Sequence, residues 1–337
     1  MDDTGLAMQT YRHFGEQTRH YFTRPAIGMP DRALDTAAAW RGEDMAAHPE
    51  RWLVELTAAQ VDEIGRAADG LTAANVPMEE VSSDNFELPT VGALAQEWKH
   101  QLASRTGVVC VRGLPVREWG NDKAAYAYWG LGHHVGVPGA QNPANELLGH
   151  VTDYREADTA PMARMYRTAQ EIAFHCDTAD VVGLLCLRTA RHGGQSRIAS
   201  SVYVFNELLR REPELAAELF EPFELDRRDE QAPGDAPTVQ LPPSAWDGDT
   251  LRTFWHSDYM RSAARHDGIE FSERRLAAMD LYDEIANDDG THLDMWLEEG
   301  DIQFISNHTV IHARTGYGDH DDPNERRHLL RLWLSLD

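Results

Sequence analysis

FHCDTADVVGLLCLRTARHGGQSRIASS, residues 174–201, is the segment that decides the fold of this chain. Residues 181–187 form a short apolar run that is typical of a buried strand, and the glycine pair at 193–194 favours a tight turn. Residues 196–201 then predict a returning strand. Residues i and i+2 of a strand point to the same face, so His175 and Asp177 can present both side chains to one ion. The segment therefore predicts a β-sheet core that carries a candidate metal-binding pair.

The His-x-Asp pattern is not specific by itself, because it occurs four times in a chain with 16 histidines. Only His175/Asp177 is followed by enough chain for several strands of a barrel to form before the next candidate ligand, His312. The other three pairs lie too near His312 or beyond it, and we interpret them as strand or loop residues. They are His256/Asp258, His292/Asp294 and His320/Asp322.

His312 completes a set of two imidazoles and one carboxylate. This is the ligand set that holds a non-haem iron(II) ion by one face and leaves its other positions free. Two neighbouring side chains have a different interpretation: Cys176 points to the opposite strand face and is expected to pack, and His308 is expected to support the site without ligating. The pattern indicates an iron-dependent oxygenase.

The last strand predicted from the sequence is ERRHLLRLWL, residues 325–334. Alternation places Arg327 and Arg331 on one face and a nearly apolar series on the other. If the first face points into the core, two guanidinium groups lie where an uncompensated charge is costly. A dicarboxylate ligand would satisfy them, because arginine binds carboxylate through two parallel hydrogen bonds. The alternative is an ion pair with one of the many acidic residues of the chain.

Three blocks, in this order, resemble the TauD/TfdA family of iron(II)- and 2-oxoglutarate-dependent dioxygenases, with a similarity also to its gamma-butyrobetaine hydroxylase branch. They are residues 174–201, GDIQFISNHTVIHART at 300–315, and residues 325–334. The resemblance implies a mainly β fold with flanking helices, built on a double-stranded β-helix, the cupin-like jelly roll. It also implies that His175, Asp177 and His312 are the iron ligands.

The resemblance further implies the residues that bind the co-substrate. Arg327 would hold the distal carboxylate of 2-oxoglutarate, and Ser196, the hydroxyl residue after the Gly-Gly turn, would add a hydrogen bond to it. Arg331 would contact an anionic group of the substrate or support the co-substrate site. The place in the family pattern alone suggests these further residues of the substrate pocket: Gln141, Asn142, Tyr166 and Thr168.

The chain departs from the taurine branch in two places. The Gly-Gly-Asp-Thr turn is GGQS here, residues 193–196, which keeps the hydroxyl and loses the acid. The loop from His312 to Arg327 is longer, so the choice of Arg327 over Arg326 rests on strand alternation. The carboxylate ligand is retained, whereas related radical halogenases replace it with a small residue. Asp177 therefore favours oxygenation over halogenation.

The implied reaction uses iron(II), 2-oxoglutarate and O2. It would oxidise an unactivated C–H bond of a small molecule, most simply by hydroxylation, with desaturation or ring closure as other outcomes, and release succinate and CO2. Two alternatives stay open: a non-redox metal-dependent jelly-roll isomerase or lyase, and a catalytically inactive relative that binds small acids. Arg327 and Ser196 favour the oxygenase, because they have no purpose without a dicarboxylate.

Residues 1–337 are expected to form a single dioxygenase domain. Residues 1–106 would form an N-terminal wrap, irregular over the first fifty residues, followed by helices. One helix is predicted from its N-cap Thr57 to Gly70 and another from Thr90 to Gly107. Residues 107–337 would form the jelly roll, with further helices over 206–220 and 273–285. Residues 229–249 are rich in Pro, Gly and Asp, and we interpret them as a loop or active-site lid.

The formal net charge of −25 disfavours binding to nucleic acid or to an anionic membrane surface. A small molecule, with an anionic group if Arg331 contacts it, is the expected partner; the sequence says nothing about oligomeric state. The acidic N-terminus and the lack of a long apolar run argue against a signal peptide or a membrane span. Three cysteines give no disulfide framework. A reducing cytoplasm suits them and suits iron(II).

Overall fold

Two β-sheets that face each other form the centre of the computed structural model, which describes residues 10–154, 167–229, 231 and 234–336. In this part of the chain the α-helices are α1 (Phe14–Phe22), α2 (Gly42–Ala47), α3 (Ala58–Ala73), α4 (Val91–Ser104), α5 (Val116–Val135), α6 (Ser201–Arg211), α7 (Pro213–Glu218), α8 (Ser257–Ser262) and α9 (Glu273–Asn287). The strands are β1 (Leu53–Glu55), β2 (Val108–Arg112), β3 (Val137–Gly139), β4 (Gly149–Val151), β5 (Ile172–His175), β6 (Val181–Arg188), β7 (His192–Gly193), β8 (Ser196–Ser200), β9 (Phe223–Asp226), β10 (Thr238–Leu241), β11 (Ser244–Trp246), β12 (Leu251–Thr253), β13 (His292–Met295), β14 (Ile302–Ser306), β15 (Val310–Arg314), β16 (Tyr317–Gly318) and β17 (His328–Ser335).

The larger sheet has the strand order β1-β2-β14-β6-β17-β3, with β4 also paired to β17. The smaller sheet has the order β13-β8-β15-β5. Between the two sheets, Val182 and Trp333 of the larger pack with Ile198 and Val310 of the smaller in one buried cluster. Two sheets packed in this way form the jelly roll that the sequence predicts, and the predicted fold class is confirmed.

Helices cover the outer faces of both sheets. The apolar faces of α3, α4 and α5 pack against the larger sheet, and those of α6, α7 and α9 pack against the smaller one. No helix among the described residues combines the length and the apolarity that a bilayer span requires. The candidate site lies between the two sheets, where residues beside β5 and on β15 face side chains of β17.

Local signals in the sequence predicted several elements well. The apolar run at 181–187 forms most of β6, and the returning strand predicted over 196–201 forms β8. Helix α3 begins after Thr57, whose backbone N–H donates to the Gln60 side chain at 2.8 Å, as the capping box requires. The helix continues to Ala73, however, so Gly70 lies inside it and does not terminate it as predicted. A glycine inside a helix costs only about 1 kcal/mol, which packing can offset.

Three expectations about local structure are wrong. The first fifty residues contain α1 and α2 in addition to extended chain. The helix expected over 206–220 is two helices, because Pro213 begins a new one after α6. The loop expected over 229–249 is interrupted by β10 and β11, which pair with β9 and β12. A role of this segment as a lid stays a prediction.

Asp180 fixes α1 to the jelly roll. Its side chain is 1% exposed and accepts hydrogen bonds from Arg24 at 2.6 Å and from the backbone N–H of Leu336 at 2.8 Å. The Nε2 atoms of His20 and His308 lie 2.9 and 2.7 Å from its two oxygens. Burial alone would raise the pKa of Asp180, but the contacts with His308 and Arg24 outweigh burial and hold the pKa well below its ordinary value.

The substitution Asp180→Asn is therefore expected to lower the free energy of unfolding by about 3–5 kcal/mol, because it leaves Arg24 without its counter-charge and disrupts a buried hydrogen-bond network. Since the folded-state pKa is lowered, this stabilisation is present at neutral pH and is lost progressively as the pH falls from about 3.9, the unfolded value, towards the lower folded-state value. Urea unfolding of both proteins at pH 7 and at about pH 2.5 measures it. Asp280→Asn, in the exposed pair with Arg261, is the control and should have much less effect. Equal unfolding curves for wild type and Asp180→Asn would contradict this account.

Candidate metal centre and its two chambers

The three side chains predicted as iron ligands meet between the two sheets of the jelly roll. His175 ends β5, Asp177 follows it, and His312 lies on β15 directly opposite His175 in the strand register. One ligand atom from each residue lies within 4.8 Å of the others, and His312 Nε2 is 3.9 Å from Asp177 Oδ2. Ligand atoms at about 2.1 Å from one divalent ion lie about 3–4 Å apart, so small side-chain adjustments would suffice. Within the described residues this is the one group of three such side chains.

His312 is suited to bind a metal in the neutral form. Burial, with a smaller contribution from nearby His175, lowers the pKa of His312 to about 3. Nδ1 of His175 lies 2.9 Å from the carbonyl oxygen of Ala173, which makes Nδ1 a donor and leaves Nε2 as the ring atom that can face an ion. Metal ligands must be deprotonated, and burial favours that form of His312.

Asp177 is held in place by two residues of β17. Trp333 Nε1 donates to Oδ2 at 3.1 Å, and Arg331 Nη1 donates to Oδ1 at 3.3 Å. Burial alone would raise the pKa of Asp177, but Arg331 and the two histidines outweigh it and lower the pKa below its ordinary value. Arg331 also donates from Nε to Gln141 Oε1 at 2.8 Å. Its guanidinium is thus part of the support of the carboxylate.

A small cavity that borders the three candidate ligands, here called the inner chamber, contains two buried arginines. Arg327 and Arg314 are 5% and 6% exposed, and their guanidinium carbons lie 5.1 and 4.8 Å from the ring centre of Tyr317. Burial lowers the pKa of both, that of Arg314 to about 10. The other described residues that line the chamber are Val151, Ile172, His175, Asp177, Val182, Leu184, Ser196, Leu297, His312, Ala313 and Arg331.

These two guanidinium groups have unsatisfied donors. Arg314 donates to the carbonyl oxygens of Thr168 and Gln170, but its Nε and Nη1, and Nη1 of Arg327, have no hydrogen-bond partner among the described residues. In the described part of the chain no carboxylate forms an ion pair with either arginine. Buried cations of this kind need an anion, and a dicarboxylate fits them. Gly194, with φ of 74°, permits the arrangement, because a Cβ there would lie 3.0 Å from Arg327 Nε.

Ser196 lies on β8 opposite Arg314 in the strand register and lines the inner chamber. Its hydroxyl donates to Gln303 Oε1 at 2.9 Å, so it faces the chamber as a potential hydrogen-bond acceptor. Its predicted contact with the co-substrate stays a prediction. Arg314 was missed by the sequence analysis, although its position two residues after His312 on one strand places both side chains on the same face.

A larger cavity of about 260 Å³ also borders His175 and Asp177 and is here called the outer chamber. Gln141 and Asn142 line it, and their predicted contact with the substrate stays a prediction. Thr168 does not: it lies beside the inner chamber, where its carbonyl oxygen binds Arg314. Tyr166 lies outside the described residues. The other described lining residues are Phe14, Pro143, Ile172, Ala173, Phe174, His175, Cys176, Asp177, Thr178, Arg228, Phe254, His256, Asp258, Tyr259, Arg331 and Trp333.

His256 is the second residue near the ligands that sequence reasoning missed. It does not belong to the described group of three side chains that could hold one ion. Its ring centre nevertheless lies 5.4 Å from that of His175, and its backbone forms a β-bridge with His175. No local pattern could have predicted this contact, because it depends on how the segment after β12 folds back onto β5.

Comparisons with known proteins agree with this geometry. The family model described as taurine catabolism dioxygenase TauD, TfdA family, matches residues 70–333. FR-33289 synthase of Streptomyces rubellomurinus (strain ATCC 31215) is 28% identical over 291 residues, which cover 85% of this chain and 86% of that protein. Taurine hydroxylase-like protein SAT17 of Stachybotrys chartarum (strain CBS 109288 / IBT 7711) is 26% identical over 328 residues, which cover 93% of this chain and 81% of that protein.

Solved structures share the fold. Asparagine oxygenase in complex with Fe(II), 2S,3S-3-hydroxyasparagine and succinate has a TM-score of 0.70 at 17% identity, covering 85% of this chain and 94% of that one. The non-heme iron oxygenase OrfP in complex with Fe and alpha-ketoglutaric acid has a TM-score of 0.63 at 17% identity, with the same coverage. The family match extends over most of the jelly roll and includes all three candidate ligands. This chain therefore belongs to the TauD/TfdA family and is an iron(II)- and 2-oxoglutarate-dependent dioxygenase.

Proposed function

We propose that this enzyme hydroxylates an unactivated C–H bond of a small molecule, with His175, Asp177 and His312 as the iron ligands. The observation that carries the proposal is the presence of two chambers that both border His175 and Asp177. The inner one presents buried guanidinium groups to a dicarboxylate, and the outer one has room for a second small molecule. An enzyme that couples 2-oxoglutarate to substrate oxidation needs both.

The side chains around the ligands would mainly bind, orient and exclude water. His175 and His312 would offer nitrogen donors, and Asp177 would offer an oxygen donor whose orientation Arg331 and Trp333 fix. With iron(II) bound, O2 would be the oxidant and 2-oxoglutarate the co-substrate, so that one oxygen atom enters succinate as CO2 is lost and the other enters the substrate. Apolar side chains of the inner chamber keep water from the co-substrate, which strengthens its charge pairing.

In the inner chamber, Arg327 would bind the distal carboxylate of 2-oxoglutarate through its unsatisfied Nη1. Arg314 would add positive charge beside it, and Ser196 would lie at the same wall. Hydroxylation is favoured over desaturation or ring closure by the names of similar proteins, which include a hydroxylase-like protein and oxygenases bound to hydroxyasparagine or hydroxyarginine. We also place the enzyme in the cytoplasm, since all three cysteines are buried and unpaired.

The test is anaerobic addition of iron(II) and 2-oxoglutarate to the protein, followed by oxygen. We expect a weak visible charge-transfer band on addition and succinate on exposure to oxygen, with faster succinate formation when a correct small molecule is present. Mass spectrometry of that molecule should show the gain of one oxygen atom. Tight binding of 2-oxoglutarate without succinate, across a broad panel of small molecules, would instead identify a catalytically inactive relative that binds small acids.

A further inference from the structure

Helix α1 contacts the outer chamber at both of its ends. Phe14, the first residue of the helix, lines the chamber and packs against the buried cluster that contains Trp333. At the other end, the rings of Tyr21 and Phe22 pack edge-on against Phe254, another lining residue, with ring centres 6.0 and 5.1 Å from it. One helix therefore supplies one aromatic wall of the chamber and supports a second.

Hydrogen bonds of the backbone fasten the start of this helix beside the chain that joins β3 to β4. The N–H of Arg12 donates to the carbonyl oxygen of Pro138 at 2.8 Å, and the N–H of Ala140 donates to that of Arg12 at 2.9 Å. The N–H of Phe14 donates to Asn145 Oδ1 at 3.1 Å. Asn145 has a φ of 59°, in the left-handed region that asparagine adopts more readily than most residues. These contacts fix the position of Phe14.

The last turn of α1 is held from inside the protein. Tyr21 is 3% exposed, and its hydroxyl lies 3.2 and 3.1 Å from the carbonyl oxygens of Thr253 and Asn307, to either of which it can donate. Its ring stacks on that of His308 at 4.8 Å. Because Thr253 directly precedes Phe254, the tyrosine holds the backbone from which that lining side chain projects. Walls held at several points can discriminate between molecules by size, since a close-packed protein interior yields little.

The place of α1 in the chain bears on what Phe14 can do. The family match begins at residue 70, so the whole of α1 precedes the matched residues. The candidate iron ligands and the buried arginines of the inner chamber lie within the match. A side chain from outside the matched part can therefore shape the outer chamber without altering the groups around the metal.

A phenyl ring restricts which part of a substrate can lie against it. Phe14 and Phe254 carry no hydrogen-bonding side-chain atoms, so a polar group placed against them would lose its hydration without gaining a partner. A hydrocarbon group gains free energy from the same contact. The cavity of about 260 Å³ has room only for a short one.

We propose that Phe14 determines substrate specificity: its ring contacts a hydrocarbon part of the substrate and limits the length of that part. Helix α1 is then a specificity element of the enzyme, held in place by contacts at both of its ends. This inference rests on the proposed function, because the outer chamber is the substrate chamber only if the enzyme oxidises a small molecule there.

The experiment uses straight-chain alcohols, carboxylic acids and α-amino acids, each series lengthened by one methylene group at a time, and the enzyme loaded with iron(II) and 2-oxoglutarate. Anaerobic titration, followed by the charge-transfer band, gives the affinity of each compound, and succinate formation in oxygen gives its kcat/KM. Phe14→Ala should shift the preferred chain length upwards, and Phe14→Trp should shift it downwards. For a compound one methylene longer than the wild-type optimum, Phe14→Ala should raise kcat/KM by about tenfold or more.

Tyr11→Ala is the matched control, because it removes an aromatic side chain from the same segment but outside the chamber. Its preferred chain length should equal that of the wild type. Opposite shifts in the two Phe14 variants could not come from a loosened helix, which would act in the same direction in both.

Three results would overturn the inference: a wild-type preference in both Phe14 variants, an equal shift in Tyr11→Ala, or no binding of any of these compounds to the wild type. Each of them, with substrate-independent succinate formation intact, leaves the proposed function standing. A wild-type protein that never forms succinate from 2-oxoglutarate would overturn the proposed function itself.

Discussion

Asp177→Ala is expected to abolish substrate-dependent turnover and to weaken iron(II) binding by at least about a hundredfold. Loss of a group that merely supports a metal ligand typically costs ten- to a hundredfold in affinity, and the loss of a ligand itself should cost more. The substitution also leaves the Arg331 guanidinium, with a side chain 12% exposed, facing two imidazoles without its counter-charge. That positive charge would repel the incoming cation. Anaerobic titration of the metal-free protein with iron(II) measures affinity, and succinate formation measures turnover.

Asp294→Ala is the control for this substitution. Asp294 belongs to another His-x-Asp triplet but lies on β13 in a surface pair with Arg197, and its loss should leave iron affinity unchanged. Equal iron affinities for Asp177→Ala and the wild type would show that the ion is held elsewhere and would remove the basis of the proposed function.

Arg327→Ala is expected to raise the concentration of 2-oxoglutarate needed for half-maximal activity by about a hundredfold, with iron affinity nearly unchanged. A hydrogen bond to a charged group contributes about 1.5–3 kcal/mol, and each 1.4 kcal/mol corresponds to a factor of ten. Within the described residues the buried side chain of Arg327 forms no ion pair and its Nη1 has no hydrogen-bond partner, so its loss leaves no acid there unpaired. Steady-state kinetics with varied 2-oxoglutarate, together with direct binding measurements, give the affinity for the co-substrate.

Arg326→Ala is the neighbouring control, since Arg326 does not line the inner chamber. Arg326→Ala should leave the 2-oxoglutarate requirement as in the wild type. The requirement of Arg327→Lys should lie between those of Arg327→Ala and the wild type, because lysine keeps the charge but cannot form two parallel hydrogen bonds to a carboxylate. An unchanged requirement in Arg327→Ala would show that Arg326 or Arg331, or the buried Arg314, binds the distal carboxylate.

The candidate ligands could be predicted because each depends on local alternation and on the order of blocks along the chain. His175 and Asp177 immediately precede a clearly apolar strand, and His312 lies in the block 300–315 that the family resemblance identified. Arg327 was chosen over Arg326 by alternation, and it is the one that lines the inner chamber. Where functional residues lie on regular strands, the alternation of side-chain direction allows the sequence to predict which residues share a face.

The outer chamber could not be predicted in the same way. Two separate segments supply some of its residues. Arg228 lies in the turn after β9, and His256 and Tyr259 lie at the start of α8. Only the packing of these segments against β5 brings them to the chamber. No periodicity marks such residues. The role of Asp180 in holding α1 could not be predicted either, because its partners Arg24 and Leu336 lie far from it in the sequence.

Arg331 borders both chambers and also holds the carboxylate of Asp177. One side chain thus borders both compartments, and any movement that it makes when the co-substrate binds changes the surface that the substrate contacts. Thermodynamic linkage is reciprocal, so the affinity for the co-substrate must then depend on the substrate by the same factor. Such coupling would let the protein delay oxygen activation until both molecules are bound, and would thereby limit oxidative damage to its own side chains.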